Sequence, residues 1–375
     1  MKKIKHLIVL YPSFELGGAT VNLINFVNTC EKKKIKIHLI SNVHQSYKKK
    51  FFSKNIEFIN PNSSYNKQKK DSRLSTSLKS CYSLIKLFKK ISSKNSIVVS
   101  FQSHILPIIF SKLFNRKIII RNSEDILDAT KYADYKIFAY FVFLLKAFFY
   151  NFSNGIITNS IKAKKSLNLI TFKNKTKIIY NPYLIKIFDN KKIIRKKIIL
   201  SVGRLCKQKN QILTIKAFAI FLKKFPSYKL ILIGHGKDKN TLKELCNNLH
   251  ISDKVIFKSW ILNPKKYYLK SKVFIFPSLY EGLPNALIEA VNYNLPCISS
   301  KCSGAEDILT KKYGTYIGKN DHRLLAYKMI DSISNYKKTL SNSKKIKKKL
   351  SRFLINPQVT KYISYCNNIL SGFNK

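Results

Sequence analysis

The sequence predicts an α/β protein built from two Rossmann-like, doubly wound domains facing a central cleft. Three observations predict it. Short apolar runs alternate with amphipathic stretches, the pattern of a parallel sheet covered by helices. That alternation pauses near Asn181-Pro182 and starts again near Lys197. The 375 residues are enough for two domains that each bury a core.

In the first series, strands are expected at Lys5–Leu10, Lys36–Ile40, Ser96–Ser100, Lys117–Ile120, Gly155–Thr158 and Thr176–Tyr180. A helix, Ala19–Cys30, follows the Gly17-Gly18 pair. Tyr47–Lys79 is polar and rich in Lys and Ser, and reads as an exposed connection. Lys186–Lys197 is charged enough to be a linker. In the second series, strands are expected at Lys197–Val202, Lys229–Ile233, Lys254–Phe257, Val273–Phe276 and Pro296–Ser299. Helices are expected at Gln208–Lys224, Lys239–Leu249 and Pro284–Tyr293. The first domain is thus expected over residues 1–185 and the second over 186–345. Leu340–Leu370 reads as helical and basic, and a segment over 346–375 is expected to pack back on the first domain.

Tyr135–Phe152 is crowded with Phe, Tyr and Leu and interrupted only by Lys136, Lys146 and Asn151. Three readings are open: a buried core helix, an interfacial helix resting among lipid headgroups, or a membrane span, for which it is short.

Hydrophobic residues make up 45% of the chain, which excludes general disorder. Seven cysteines, odd in number and without C-x-x-C spacing, predict reduced thiols rather than a disulfide framework or a zinc site. Leu7–Leu10 is too short for a secretory signal, with Pro12 close behind, so a cytoplasmic protein is expected. The 71 Lys and Arg against 18 Asp and Glu give a net charge of +53, which draws the protein towards polyanions. The excess is mostly Lys, a point charge without the fork that reads bases. Attraction to an anionic membrane surface follows, but no specific nucleic acid.

The chemistry concentrates between Ser201 and Leu309. In Ser278-Leu-Tyr-Glu-Gly-Leu-Pro-Asn-Ala-Leu-Ile-Glu-Ala290 a strand end and a Gly282 turn feed a helix with Pro284 in its first turn. Backbone N–H groups and the positive dipole end there suit an anion. Glu281 precedes the turn, and Glu289 lies further along the helix, within reach of a ribose. In Ser201-Val-Gly-Arg-Leu-Cys-Lys-Gln-Lys-Asn210, Gly203 lets the backbone turn after the strand. Arg204 and Lys209 can then converge on a diphosphate, whose charge grows as it leaves.

Together these elements resemble the retaining glycosyltransferases of GT-B fold, in particular family 4, over nearly the whole chain. The resemblance runs through Gly203-Arg204, Lys209, Gly234-His235-Gly236, Pro277-Ser278, Glu281-Gly282-Leu283-Pro284, Glu289-Ala290 and Ser303-Gly304. It implies that Arg204 and Lys209 hold the donor diphosphate, Glu281 contacts the donor sugar and Glu289 binds the ribose. Gly17-Gly18-Ala19-Thr20 resembles the family's N-terminal glycine loop near the donor phosphates, with Thr20 where an acidic residue is usual. Phe101 stands at a position where many members carry a histidine; His104 follows three residues later. Arg121-Asn122 is similar to a segment assigned to acceptor binding, and His104 joins it as an acceptor candidate.

No D-x-D occurs, so no metal and no cofactor are expected. The implied partners are a nucleotide sugar, with UDP favoured, and a lipid-linked glycan acceptor of capsule, O-antigen or similar synthesis. The implied place is the inner face of the cell membrane. Two other classes compete: a basic nucleic-acid-binding protein and a GT-B nucleotide-sugar epimerase. The aromatics lie in apolar runs rather than between basic residues, which disfavours the first. The second needs a catalytic carboxylate and histidine set, and only the two glutamates are plain.

Overall fold

The computed structural model describes residues 3–61, 73–172, 175–189 and 193–372. The chain forms two compact units. One comprises Met1–Ile185 with Phe353–Lys375, and the other Lys186–Arg352.

In the first unit β1 (His6–Leu10), β2 (Lys36–Ile40), β3 (Glu57–Ile59), β4 (Ser96–Ser100), β5 (Ile118–Asn122), β6 (Gly155–Thr158) and β7 (Thr176–Ile178) form one sheet. Its order is β3-β2-β1-β4-β5-β6-β7, and every pairing is parallel. Parallel strands need both faces covered, so alternate residues must both be apolar. Leu7, Val9, Ile37, Leu39 and Val99 join one core with the helices Gly18–Lys32 and Ile355–Ser371. Ile8, Leu10, Ile40, Val98 and Ile120 face the other way, onto Leu84, Phe88 and Ile108. Each such fully buried side chain contributes about 1.5–3 kcal/mol.

The second unit repeats the plan with β8 (Ile198–Val202), β9 (Lys229–Ile233), β10 (Val255–Lys258), β11 (Val273–Phe276), β12 (Cys297–Ser300) and β13 (Thr315–Ile317). The order β10-β9-β8-β11-β12-β13 is again parallel. In each sheet the order reverses once, between β1 and β4 and between β8 and β11. Ligands of open α/β sheets bind outside the carboxyl ends of strands at such a reversal.

Three expectations change. Tyr47–Lys79 is more than a connection: the helix Gln45–Phe51 and β3 lie across its start, and the helix Arg73–Lys90 enters its end. Its middle, residues 62–72, falls outside the described residues, as do residues 190–192 of the expected linker. Tyr135–Phe152 is not a core helix. Its helix, Lys136–Phe149, has no buried residue, and among the described residues no helix is long and apolar enough to cross a membrane. Finally, residues 346–352 stay with the second unit, where Arg352 bonds the Asp307 carbonyl; the chain rejoins the first unit at Phe353.

Candidate functional site

At the carboxyl end of β8, two loops cross with backbone against backbone. A Cβ on Gly234 would lie 1.9 Å from the Gly203 carbonyl, and one on Gly236 would lie 2.1 Å from that of Leu205. Both glycines also hold positive φ, +156° and +159°. The crossing is tied by Leu205 N–H to the His235 carbonyl (2.8 Å) and Asp238 N–H to the Leu205 carbonyl (3.1 Å). This fixes where the β8 loop begins.

The loop then makes a 3₁₀ turn at Lys207–Lys209, and Asn210 takes a left-handed conformation, φ +51°. The helix expected from Gln208 therefore starts at Gln211. That turn aims Lys209 at the end of β11. Its ammonium pairs with Glu281 and sits 5.1 Å from the centre of the Phe276 ring. The Ser278 hydroxyl donates to the same carboxylate oxygen at 2.9 Å. The pair is largely shielded, with side chains only 15% and 12% exposed.

Arg204 is exposed and is joined to this pair indirectly. Its Nη2 donates to Gln208 Oε1 at 2.6 Å, and the Gln208 amide donates to the Tyr280 carbonyl at 2.9 Å. The Gln208 carbonyl accepts from Leu279 N–H at 2.8 Å. Gln208 thus latches the β8 loop to the β11 loop. The sequence reading passed over it, although its place between two cations was the available signal.

Beyond Glu281, Gly282, Leu283 and Pro284 are buried, and Pro284 opens the helix Asn285–Asn292 with no side-chain cap. Glu289 lies half-buried on that helix, close enough to Tyr293 to help burial raise its phenol. Cys302 is buried beside the same cluster. Burial, with Glu281's charge next, pushes its thiol up to about 12, while Lys209 and Lys319 oppose the rise. Lys319 is therefore a further cation near Cys302, held by Asn210 through its carbonyl at 2.8 Å.

Arg195, on the way into β8, was another omission. Its guanidinium donates to the carbonyls of Tyr268 (2.9 Å), Ser271 (2.7 Å), Tyr293 (2.9 Å) and Asn294 (3.0 Å). It thereby closes the C-terminal ends of two helices, Lys265–Lys270 and Asn285–Asn292. The second carries Glu289.

In the first unit, Gly17 is extended (φ 175°) and precedes the helix Gly18–Lys32 at the end of β1, without a side-chain cap. Thr20 is turned inward: its hydroxyl bonds the Glu15 carbonyl and lies 2.9 Å from that of Tyr11. Phe101 belongs to the core, 5.4 Å from Phe26 and beneath the Arg121 guanidinium at 5.0 Å. His104 Nδ1 lies 3.0 Å from Ser100 Oγ, with its ring edge-on to Tyr150 at 5.8 Å. Burial, and then the charges of Lys146 and Arg121, lower its pKa to about 3, so it is a neutral imidazole at physiological pH.

Arg121 and Asn122, expected to bind an acceptor, are both buried and engaged within the fold. Arg121 Nε donates to the Tyr362 hydroxyl at 3.0 Å, Nη2 to Asn181 Oδ1 at 2.6 Å and Nη1 to Ser123. A buried guanidinium needs partners for its donors, and these supply them. It ties β5 to the segment after β7 and to the helix Ile355–Ser371. Asn122 closes its own turn onto the Glu124 carbonyl. Of the acceptor candidates, His104 alone keeps partial exposure; Arg121 and Asn122 are buried.

Two Rossmann-like units, each built on a parallel sheet whose strand order reverses once, define the GT-B class of α/β protein. Residues 185–349 match the family model described as glycosyl transferases group 1. An uncharacterized glycosyltransferase of Methanocaldococcus jannaschii is 31% identical over 255 residues, 62% of each chain. A Campylobacter jejuni N-acetylgalactosaminyltransferase, named for a diacetylbacillosaminyl-diphospho-undecaprenol acceptor, is 36% identical over 140 residues, 36% of this chain and 37% of its own. The chain thus spans less than two thirds of the length of either relative. A capsular polysaccharide biosynthesis glycosyltransferase of Staphylococcus aureus is 25% identical over 353 residues, 88% of this chain and 87% of that one. The crystal structure of Anabaena HepE with UDP and glucose shares the fold at a TM-score of 0.78 and 16% identity, covering 97% of this chain and all of that one. These similarities support a glycosyltransferase of GT-B fold.

Proposed function

We propose that this protein is a retaining glycosyltransferase of family 4 type. It would move a sugar from a nucleotide diphosphate, UDP first among them, to a lipid-linked glycan acceptor in surface polysaccharide synthesis. The observation that carries the reading is the Lys209–Glu281 pair at the β8–β11 switch point, beside an uncapped helix start. A cation for a leaving diphosphate stands against a carboxylate for the sugar that loses it.

In this reading Lys209, Arg204 and the dipole of the helix Asn285–Asn292 take up the charge growing on the diphosphate. Glu281 faces the donor sugar, and Glu289 holds the ribose. The acceptor hydroxyl attacks from the face the diphosphate leaves, and that diphosphate accepts the hydroxyl's proton. A neutral His104 is then free to orient an acceptor rather than act as a strong base. With cations already supplied by side chains, transfer should persist in EDTA; restoration only by magnesium or manganese would oppose this. An acceptor carried by lipid would bring the enzyme to the inner face of the cell membrane.

The direct test is thermal shift against UDP-, GDP- and ADP-sugars, followed by transfer to a short lipid diphosphate glycan. A bound donor stabilises the folded state alone, so one nucleotide series should raise the melting temperature. Indifference to all three would remove the reading.

A further inference from the structure

The helix Lys136–Phe149 is apolar on its outside. At roughly 100° per residue, Ile137, Phe141, Leu144 and Phe148 fall within about 60° of arc. Their exposures are 90%, 56%, 48% and 61%. Phe138 and Phe152 extend the patch, with Phe152 at 5.2 Å from Phe148. The one charged residue of the helix after Lys136, Lys146 in its last turn, lies on the opposite side and pairs with Glu124 at 2.9 Å. Phe143 meanwhile packs on the core beneath. Turning the helix over would bury the aromatics only by breaking that ion pair, so the apolar stripe is held outward. A contiguous exposed patch of this kind marks a partner surface.

We propose that this stripe seats the protein on an anionic lipid bilayer, with the helix lying in the plane of the headgroups. Three features select that occupant. A second copy would bring another +53 against the first, which disfavours self-association. Exposed Lys131 and Lys136 stand at the amino-terminal end of the stripe, with Asp134 the only acidic residue between them, so that end complements anionic headgroups. A helix of 14 residues is about 21 Å long, short of the ~30 Å needed to cross a bilayer but suited to lie in its surface. The proposal deepens the reading above by naming the surface through which a lipid-borne acceptor is met, and rests on that reading only for the acceptor.

The protein should co-sediment with vesicles of phosphatidylcholine containing about a third phosphatidylglycerol, and less with phosphatidylcholine alone. Phe141→Ser and Phe148→Ser should each lower partitioning about tenfold, since each withdraws one aromatic ring from lipid. These positions are exposed, so circular dichroism and UDP binding should match the native protein. A Phe141→Trp variant should shift blue on vesicles and be quenched by lipids brominated near the headgroup, with native Trp260 fluorescence subtracted. Failure of the native protein to bind anionic vesicles would overturn the proposal. So would unchanged binding by both Ser variants, or a dimer that they convert to monomer. UDP binding measured on the same samples keeps the outcomes apart. If it persists without vesicle binding, only the lipid surface is wrong; if native protein binds vesicles but no nucleotide, the transfer reading fails and the surface stands.

Discussion

Glu281→Gln offers the sharpest probe of the switch-point pair, because it removes a charge and keeps the shape. Ser278 can still donate to the amide oxygen, and Lys209 loses its counter-ion. If a diphosphate is drawn to Lys209, the Glu281 carboxylate stands about 5 Å from its nearer phosphate, a repulsion of about 3 kcal/mol at an effective dielectric of 20. Both side chains keep some contact with water, at 12% and 15% exposure, so about half of that is a reasonable net value. Some 1–2 kcal/mol corresponds to roughly tenfold tighter binding of a nucleoside diphosphate. Turnover should move the other way. A carboxylate facing the positive charge that develops on the sugar is worth on the order of 100-fold in kcat. Calorimetric titration with UDP and single-turnover transfer measure the two effects on one preparation. Weaker or unchanged UDP binding in the Gln variant would refute the argument, since Glu281 would then not face the phosphate. An unchanged kcat would remove it from the sugar.

Three further outcomes are expected. Glu289→Ala should raise the donor KM and leave kcat near the native value, because ribose contacts change little on the way to the transition state; a pure kcat loss would contradict that placement. Arg195→Ala strands at least four carbonyls and should cost the second unit about 3–5 kcal/mol. Urea unfolding followed by Trp260, the chain's only tryptophan, would report it, and a loss under 1 kcal/mol would mean the clamp is redundant. His104 has a folded pKa near 3, below an unfolded value near 6.5. Its contribution to stability is therefore complete above pH 6.5 and lost as pH falls towards 3. His104→Gln should flatten the stability profile in that window, and an unaltered profile would count against a buried neutral ring.

The strands that the sequence reveals are those buried on both faces, since Ile, Leu and Val must then run almost unbroken, as in β1, β4 and β9. β3 and β13 have three residues each and carry too little pattern to register, whereas the equally short β7 runs on into apolar Ile179 and Tyr180. The helix Arg73–Lys90 was hidden because Ser77, Ser80 and Ser83 lie on its buried side, where apolar residues would have marked a face. Lys136–Phe149 misled in the opposite sense: periodicity finds an apolar face but says nothing of which way it points, and here a single ion pair decides. In the candidate site, the loop glycines followed from local spacing, whereas the Lys209–Glu281 pairing joins residues 72 apart and did not. Gln208 and Arg195 did not, because their roles are contacts with backbone carbonyls far along the chain. Arg121, a residue of binding type, has its donors engaged by Tyr362, Asn181 and Ser123, which local spacing does not reveal.

The place of Tyr362 has a consequence for how the protein is made. It comes from a helix beyond Phe353, yet with Val359, Cys366 and Ile369 it completes the core around β1 and β4 and caps the buried charge of Arg121. When a ribosome has delivered residues up to Ile185, the first unit has its whole sheet but lacks this wedge. Lys186–Arg352 emerges next and can close its own core, so the unit translated second is the one able to finish first. At about 5–20 residues per second the amino-terminal sheet waits roughly ten to forty seconds with an apolar groove open and one of the three Arg121 partners, Tyr362, absent. During that interval it is the part of the nascent chain with most need of a chaperone.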